Sequence, residues 1–389
     1  MWRMTRRARG ERGAAATLVA ILMAGGALFG MAALTIDVGQ IYSERRELQN
    51  GADGGALAVA QDCAKGLPSC NPSAAMTQAE QYANDNAKKD GVAAVPQVVC
   101  GNGVATLPTC PAPTTSIYDC PAAPTVGNFV EVETETKEIG GDSLLPPSFA
   151  QMLVGNEGYS GTTVHACARA AWGAPSTLRS FAATISICEW NAATNGGDDA
   201  SYVTLPPWPP YPPAGQEQKL ELHGQGAAVP CGPGATPVEP PPSGWNQPGG
   251  FGWLDEESGG LCQATITVDE VVAGGSSPGV GMSSACREVL DQAIEDQETL
   301  FVPIFSAAQG SGQNADYIIE GFAAFVPTGY RMPGGGGGQN RPSEVPGSTI
   351  ACTGSAKCIY GFFTQDLVPA DAVIGTGPNM GATVISLIG

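Results

Sequence analysis

Between Arg12 and Asp37 the chain carries no charge. Ala14–Ile36 supplies 23 residues, and a helix rising ~1.5 Å per residue would extend them over about 34 Å, enough for the ~30 Å hydrocarbon core of a bilayer. Arg3, Arg6, Arg7, Arg9 and Arg12 all precede the run, with Glu11 the one acid among them. The positive-inside rule then places residues 1–13 in the cytoplasm and the bulk of the chain outside, in a single pass of the cell membrane. The run is longer than the apolar stretch of a signal peptide, and no small-x-small site precedes a polar mature start. The expectation is an uncleaved transmembrane helix over 14–36; cleavage after Ala33 would defeat it.

The remaining chain is acidic. Of 18 basic and 37 acidic residues, five and one lie before residue 13, leaving 13 against 36, a net of about −23. Such a body repels phosphate backbones, which argues against a nucleic-acid partner. With 53 Gly and 32 Pro, long loops are expected rather than a helical bundle. The 12 cysteines all follow the apolar run and none forms a CxxC pair. That pattern favours disulfides of an exported domain over zinc or redox sites. Cys63 and Cys70, Cys100 and Cys110, and Cys352 and Cys358 are close enough to pair locally, while spacing leaves the full connectivity open.

Beyond the apolar run, Val38, Ile41, Tyr42, Arg45, Leu48, Ala52, Gly55, Ala56, Val59 and Cys63 recur at steps of three and four. They predict one helical stripe over 37–66, narrowing from Ile, Tyr and Leu to Ala and Gly, a face that a sheet or second helix can approach closely. Glu44, Arg46, Glu47, Gln49 and Asp53 form the solvated face. A second helix is predicted over Ala74–Lys89, a strand over Phe129–Ile139, a short helix over Pro146–Val154, and strands over Thr162–Trp172 and Ala182–Trp190. Residues 205–250 are Pro-rich and read as a surface insertion or linker in extended polyproline conformation. Ser283 or Ser284 caps a predicted helix carrying Cys286, Val289, Leu290, Ala293 and Ile294. Strands follow at Leu300–Ser306, Tyr317–Pro327, Ile359–Val368 and Ala382–Leu387, with a flexible glycine run at Gly334–Gly338. The fold class is α+β: a transmembrane helix, a long helical extension, and a disulfide-linked ectodomain (67–204 and 251–389) with an antiparallel or mixed sheet and Pro/Gly-rich loops.

Catalytic strings are incomplete. Ser143 lies in Gly-Asp-Ser-Leu, Ser277 in Gly-Ser-Ser-Pro-Gly and Ser258 in Glu-Ser-Gly-Gly. Each needs a histidine base, and the chain has only His165 and His223. Neither has Asp three residues earlier, and no histidine follows Ser277. Asp198 and Asp199 read as a solvated acidic turn rather than a calcium loop. Glu189-Trp190 and Phe251-Gly252-Trp253-Leu254 read as core. No catalytic residue, metal site, cofactor or small-molecule ligand is expected.

Glu11-Arg12-Gly13-Ala14, then Ile36-Asp37-Val38-Gly39, Tyr42, Arg45-Arg46, Leu48-Gln49, Ala52-Asp53 and Ala56-Leu57-Ala58 together resemble the N-terminal domain of TadE/TadG-like Flp (tight-adherence) pilus-assembly proteins. Asp53-Gly54-Gly55-Ala56-Leu57-Ala58 departs mildly from the family's D-A-A-A-L-A-like run and preserves small size. Tyr82-Ala83-Asn84, the VEVETET strand, PPSFAQMLVG and VHACARAAWG look like the continuation in larger members. The resemblance implies a bitopic, non-enzymatic component of Flp pilus assembly or a related secretion apparatus, a minor pseudopilin-like factor. Its partners would be other pilus-assembly or pseudopilin proteins, met through the N-terminal helix, and the lipid bilayer. The helix face expected to serve packing and assembly is Asp37, Tyr42, Leu48, Ala52, Ala56 and Val59. A membrane-anchored surface-binding or adhesion protein is the alternative, and an exported serine hydrolase the third.

Overall fold

Small residues decide how the N-terminal helices pack. The computed structural model describes residues 12–24, 27–87, 93–95, 97–112, 120, 122–137, 162–198, 201–203, 211–222, 242–246, 249–274, 282–310, 315–333, 339–369 and 372–388. Helices α1 (Arg12–Ala24) and α2 (Ala27–Ala64) come first, the second 38 residues long. The expected span over 14–36 falls across both. Among the described residues no helix is long and apolar enough to cross a membrane. A Cys63–Cys70 disulfide ties the end of α2 to α3 (Pro72–Asn86). Asn71 caps α3 by accepting from the Ser73 and Ala74 amides, and Pro72 opens its first turn, where no amide is needed. Helix α3 runs back along α2. A β-carbon on Gly51 would stand 2.8 Å from Ala83 Cα, and one on Gly55 3.2 Å from Ala79 Cα.

The strands follow: β1 (Ala93–Ala94), β2 (Cys100–Asn102), β3 (Asn128–Thr136), β4 (His165–Gly173), β5 (Pro175–Phe181) and β6 (Ala183–Ser186). The strand expected over Ala182–Trp190 stops at Ser186, whose hydroxyl accepts from the Cys188 amide and starts helix α4 (Ile187–Thr194). Next come β7 (Gln218–Glu221), β8 (Phe251–Trp253), β9 (Gln263–Thr267), β10 (Val271–Ala273) and α5 (Ser284–Asp296), the last capped by Ser283. Strand β7 lies inside the stretch read as a Pro-rich insertion, because Gln216–Leu222 is free of proline and can donate to a ladder. The chain ends in β11 (Leu300–Gln309), β12 (Asp316–Met332), β13 (Gln339–Arg341), β14 (Cys358–Thr364), β15 (Asp366–Leu367), β16 (Val373–Ile374) and β17 (Ala382–Ile388). Pro146–Val154, Gly334–Gly338, Ser143, Asp199, His223 and Ser277 lie outside the described residues.

Among the described residues three sheets result. The first, ordered β1-β3-β4-β17-β15 with β2 beside β3, carries α2 and α3 on one face. The second, ordered β7-β14-β12-β11-β6-β8, takes β10 and β13 along β12. A parallel bridge between Leu222 and Phe251 joins its two ends, so the strands wrap toward a closed barrel. Leu290 of α5 contributes to the barrel interior with Leu220, Phe251, Phe325 and Ile359, and the residual apolar void is about 10 Å³. That is a packed core with no room for a ligand. The third sheet, β16-β5-β9, packs beside it.

Disulfides staple the loops: Cys100–Cys110, Cys120–Cys167, Cys262–Cys286 and Cys352–Cys358 join the pair already described, and Cys188 is also disulfide-bonded. The Cys120–Cys167 separation of 47 corresponds to about 4 kcal/mol of unfolded-state restriction in the loop-closure view.

Two glycines of α2 separate packing from propensity. Gly51→Val drives a branched side chain into the α3 backbone and should lower stability by about 1–3 kcal/mol. A β-carbon at Gly39 meets nothing within 4 Å, so Gly39→Ala should raise stability by up to ~1 kcal/mol. Denaturation of the full chain in detergent, followed by circular dichroism, checks both signs.

Candidate functional site

The stripe read from the sequence divides at Leu48. From there to Val59 it is sealed: Leu48 is 2 % exposed, and Ala52, Ala56 and Val59 are fully buried. Their cover is the chain's own sheet. Thr134 Oγ1 of β3 donates to the Leu48 carbonyl at 3.0 Å, and Gln49 Nε2 donates to the Cys167 carbonyl of β4 at 3.1 Å and to Asp53 Oδ1 at 2.8 Å. Gln49 and Asp53, expected on a solvated face, are half-buried and serve docking instead. On the flank toward α3, Gly54 lies under the Tyr82 ring. Leu48, Ala52, Ala56 and Val59 thus pack within the chain, against its own sheet and α3.

N-terminal to Leu48 the same periodicity has a different fate. Ile41 packs partly on this core, Asp37 is buried and partnered, and Tyr42 is 66 % exposed. Leu18, Val19, Ile21, Leu22, Met23, Met31, Leu34, Ile36 and Val38 are also exposed. So many large apolar side chains in water are costly, at roughly 25 cal/mol per Å², and mark a surface that something else covers.

Beneath α2 the sheet carries a buried ion pair. Arg169 Nη2 of β4 lies 2.5 Å from Glu131 Oε2 of β3, directly across the ladder, and its guanidinium stands 5.3 Å from the Phe129 ring centroid. The Cys100–Cys110 and Cys120–Cys167 bridges flank Glu131. Each described cluster of metal-ligating types combines such bridged cysteines with one carboxylate. Sulfurs already bonded to each other cannot act as thiolate ligands.

Ser258 sits in an exposed turn before β9, while His165 begins β4 and faces Glu135 across the ladder with Nδ1 3.8 Å from Oε2. Trp190 donates its indole N–H to the Met380 carbonyl at 3.0 Å as a core residue. A polar recess of about 340 Å³ opens among Ser201, Gln216, Gln218 and Phe363, with no charged side chain on its described walls.

One buried acid was not singled out for its chemistry. Glu189, in the first turn of α4, accepts the Gly250 amide on Oε1 at 2.5 Å, while Oε2 has no hydrogen-bond partner. Burial pushes its pKa from 4.5 up to about 7 against the opposing hydrogen bonds. A raised folded-state pKa means stability fully present below 4.5 and lost as pH rises through 7. Glu189→Gln should therefore match the wild type near pH 4.5 and exceed it at pH 8 by on the order of 3 kcal/mol. Thermal denaturation across that range reads the divergence.

The half-sealed, half-open α2 lies largely within a segment that similarity identifies. Residues 13–62 match the family model described as putative Flp pilus-assembly TadE/G-like. No curated protein and no solved structure matches the chain. The match begins within α1 and ends two residues before the last turn of α2 closes at Ala64. Through residues 13–62 the chain carries a TadE/G-like Flp pilus-assembly domain at its N-terminal end.

Proposed function

We propose that the chain is a single-pass, membrane-anchored and non-enzymatic component of Flp/Tad pilus assembly or the related secretion apparatus. It acts through protein contacts as a minor pseudopilin-like factor, with its N-terminus cytoplasmic and its disulfide-bonded domain outside. One observation carries the reading. Among the described residues of the matched region, Leu18, Val19, Ile21, Leu22, Met23, Met31, Leu34, Ile36, Val38 and Tyr42 are exposed, while the stretch from Leu48 to Val59 packs against the chain's own sheet. The uncharged run between Arg12 and Asp37 supports a bilayer as cover for the first part. The cysteine bridges support an oxidising compartment for the remainder.

Site-specific photo-crosslinking in cells tests the contact surface. A photoreactive residue at Leu34, Val38 or Tyr42 should yield adducts with another pilus-assembly protein, and one at Ala56 should yield none. Tyr42→Asp should leave the ectodomain folded, because the side chain is exposed, and should reduce surface pili. Unchanged pilus output, with the protein still on the surface and no pilus component crosslinked, would instead favour a surface-binding protein. Extraction of the full chain by alkaline carbonate would remove the anchor from the reading.

A further inference from the structure

Helix α2 segregates charge around its circumference just after the uncharged run. At about 100° per residue, Val38, Tyr42, Arg45 and Arg46 fall within one arc of roughly 100°. All four are exposed. Asp37, Glu44 and Glu47 lie on the other side, buried or half-buried. Among the described residues neither arginine joins an ion pair. Two unpaired cations on one face of a strongly acidic chain are a local reversal of sign.

Their height is equally specific. Arg45 is nine residues beyond Ile36, about 14 Å along the axis, and Tyr42 about 9 Å. Headgroups extend roughly 5–8 Å past each side of the hydrocarbon core. Side chains on an α-helix lean toward its N-terminus, here toward the bilayer, and a long arginine stem follows that lean while keeping its guanidinium in the polar layer. Tyrosine belongs to the same layer. An acidic ectodomain is repelled by an anionic leaflet, so cations at this height offset the repulsion where the chain leaves the membrane.

We propose that Tyr42, Arg45 and Arg46 form a collar on α2 that binds the net-anionic phospholipid headgroups of the leaflet from which the anchor emerges. This rests on the anchored reading above. The full chain is reconstituted into vesicles of phosphatidylcholine alone or with added phosphatidylglycerol, and amide hydrogen exchange is followed over residues 38–47. One basic residue near an anionic surface is worth roughly fivefold in partitioning, and exchange is expected to slow by about tenfold in the anionic vesicles. Arg45→Gln with Arg46→Gln should abolish that difference, and the two lysine replacements should retain most of it. Amides of α3 and β4 serve as the folding control and should be unchanged throughout. Equal exchange in both vesicle types overturns the collar. So does inorganic phosphate reproducing the protection on phosphatidylcholine vesicles, which would mark a soluble-anion site. A chain that fails to float with vesicles removes the anchor and the collar together; one that floats without lipid dependence removes the collar alone.

Discussion

The distance between α2 and its neighbours is set by side chains that are absent. At Gly51 and Gly55 the backbone of α3 approaches so closely that a β-carbon would meet it at 2.8 and 3.2 Å. On the adjoining face Ala52 and Ala56 allow the helix down onto β3 and β4 until Thr134 and Gln49 can bond across the interface. Each small residue contributes little apolar area of its own. Together they permit Leu48, Val59, Val130 and Val132 to be removed from water in one cluster. That seating also determines which arc of α2 is left uncovered, so the available face of the helix follows from the buried one.

Polar chemistry holds the layer beneath in register. Glu131 and Arg169 face each other across β3 and β4, and a one-residue slip would separate them and turn the strand faces over. Their burial makes the pair weak evidence of net stabilisation, since both charges lose water. Removing either partner alone leaves an uncompensated charge, at a cost of about 3–5 kcal/mol. The disulfides beside Glu131 restrict the same strands covalently. In the barrel, Glu217 plays a similar part: its carboxylate accepts from the hydroxyls of Thr328, Ser343 and Ser348, joining β7 to β12 and the segment after β13. These contacts connect positions more than a hundred residues apart in the chain.

Local signals were readable and long-range ones were not. Ser283 before an apolar stripe marks α5, and alternation marks β3, because each pattern is complete within a dozen residues. Strand β12 runs five residues past the end read for it, to Met332, since Gly329 and Tyr330 keep pairing with β14. The expected strand over Ile359–Val368 is interrupted at Gln365, and its second part joins a different sheet as β15. Neither the Leu222–Phe251 closure nor the return of β17 to β4 has a periodicity to announce it. Tyr42 is the most instructive case. It shares the helical stripe of Leu48, but the bond from Thr134 to Leu48 comes near the end of β3, and periodicity does not encode where a sheet stops.

That division bears on how a helix of this kind can take part in an assembly. A helix buried along its whole length is a structural element and nothing more; one exposed along its whole length would be free to bend away from the domain it carries. Here the same continuous α2 is clamped by sheet, α3 and the Cys63–Cys70 bridge over its second half. Its first half is exposed on the Val38–Tyr42 side. A contact made on the open half therefore meets a surface whose direction relative to β3 and β4 is already set, which lowers the ordering entropy that association would otherwise cost. Small residues in the clamped half are what permit that rigidity. Their role in assembly is consequently indirect: they orient the helix, and the larger exposed residues make the contact.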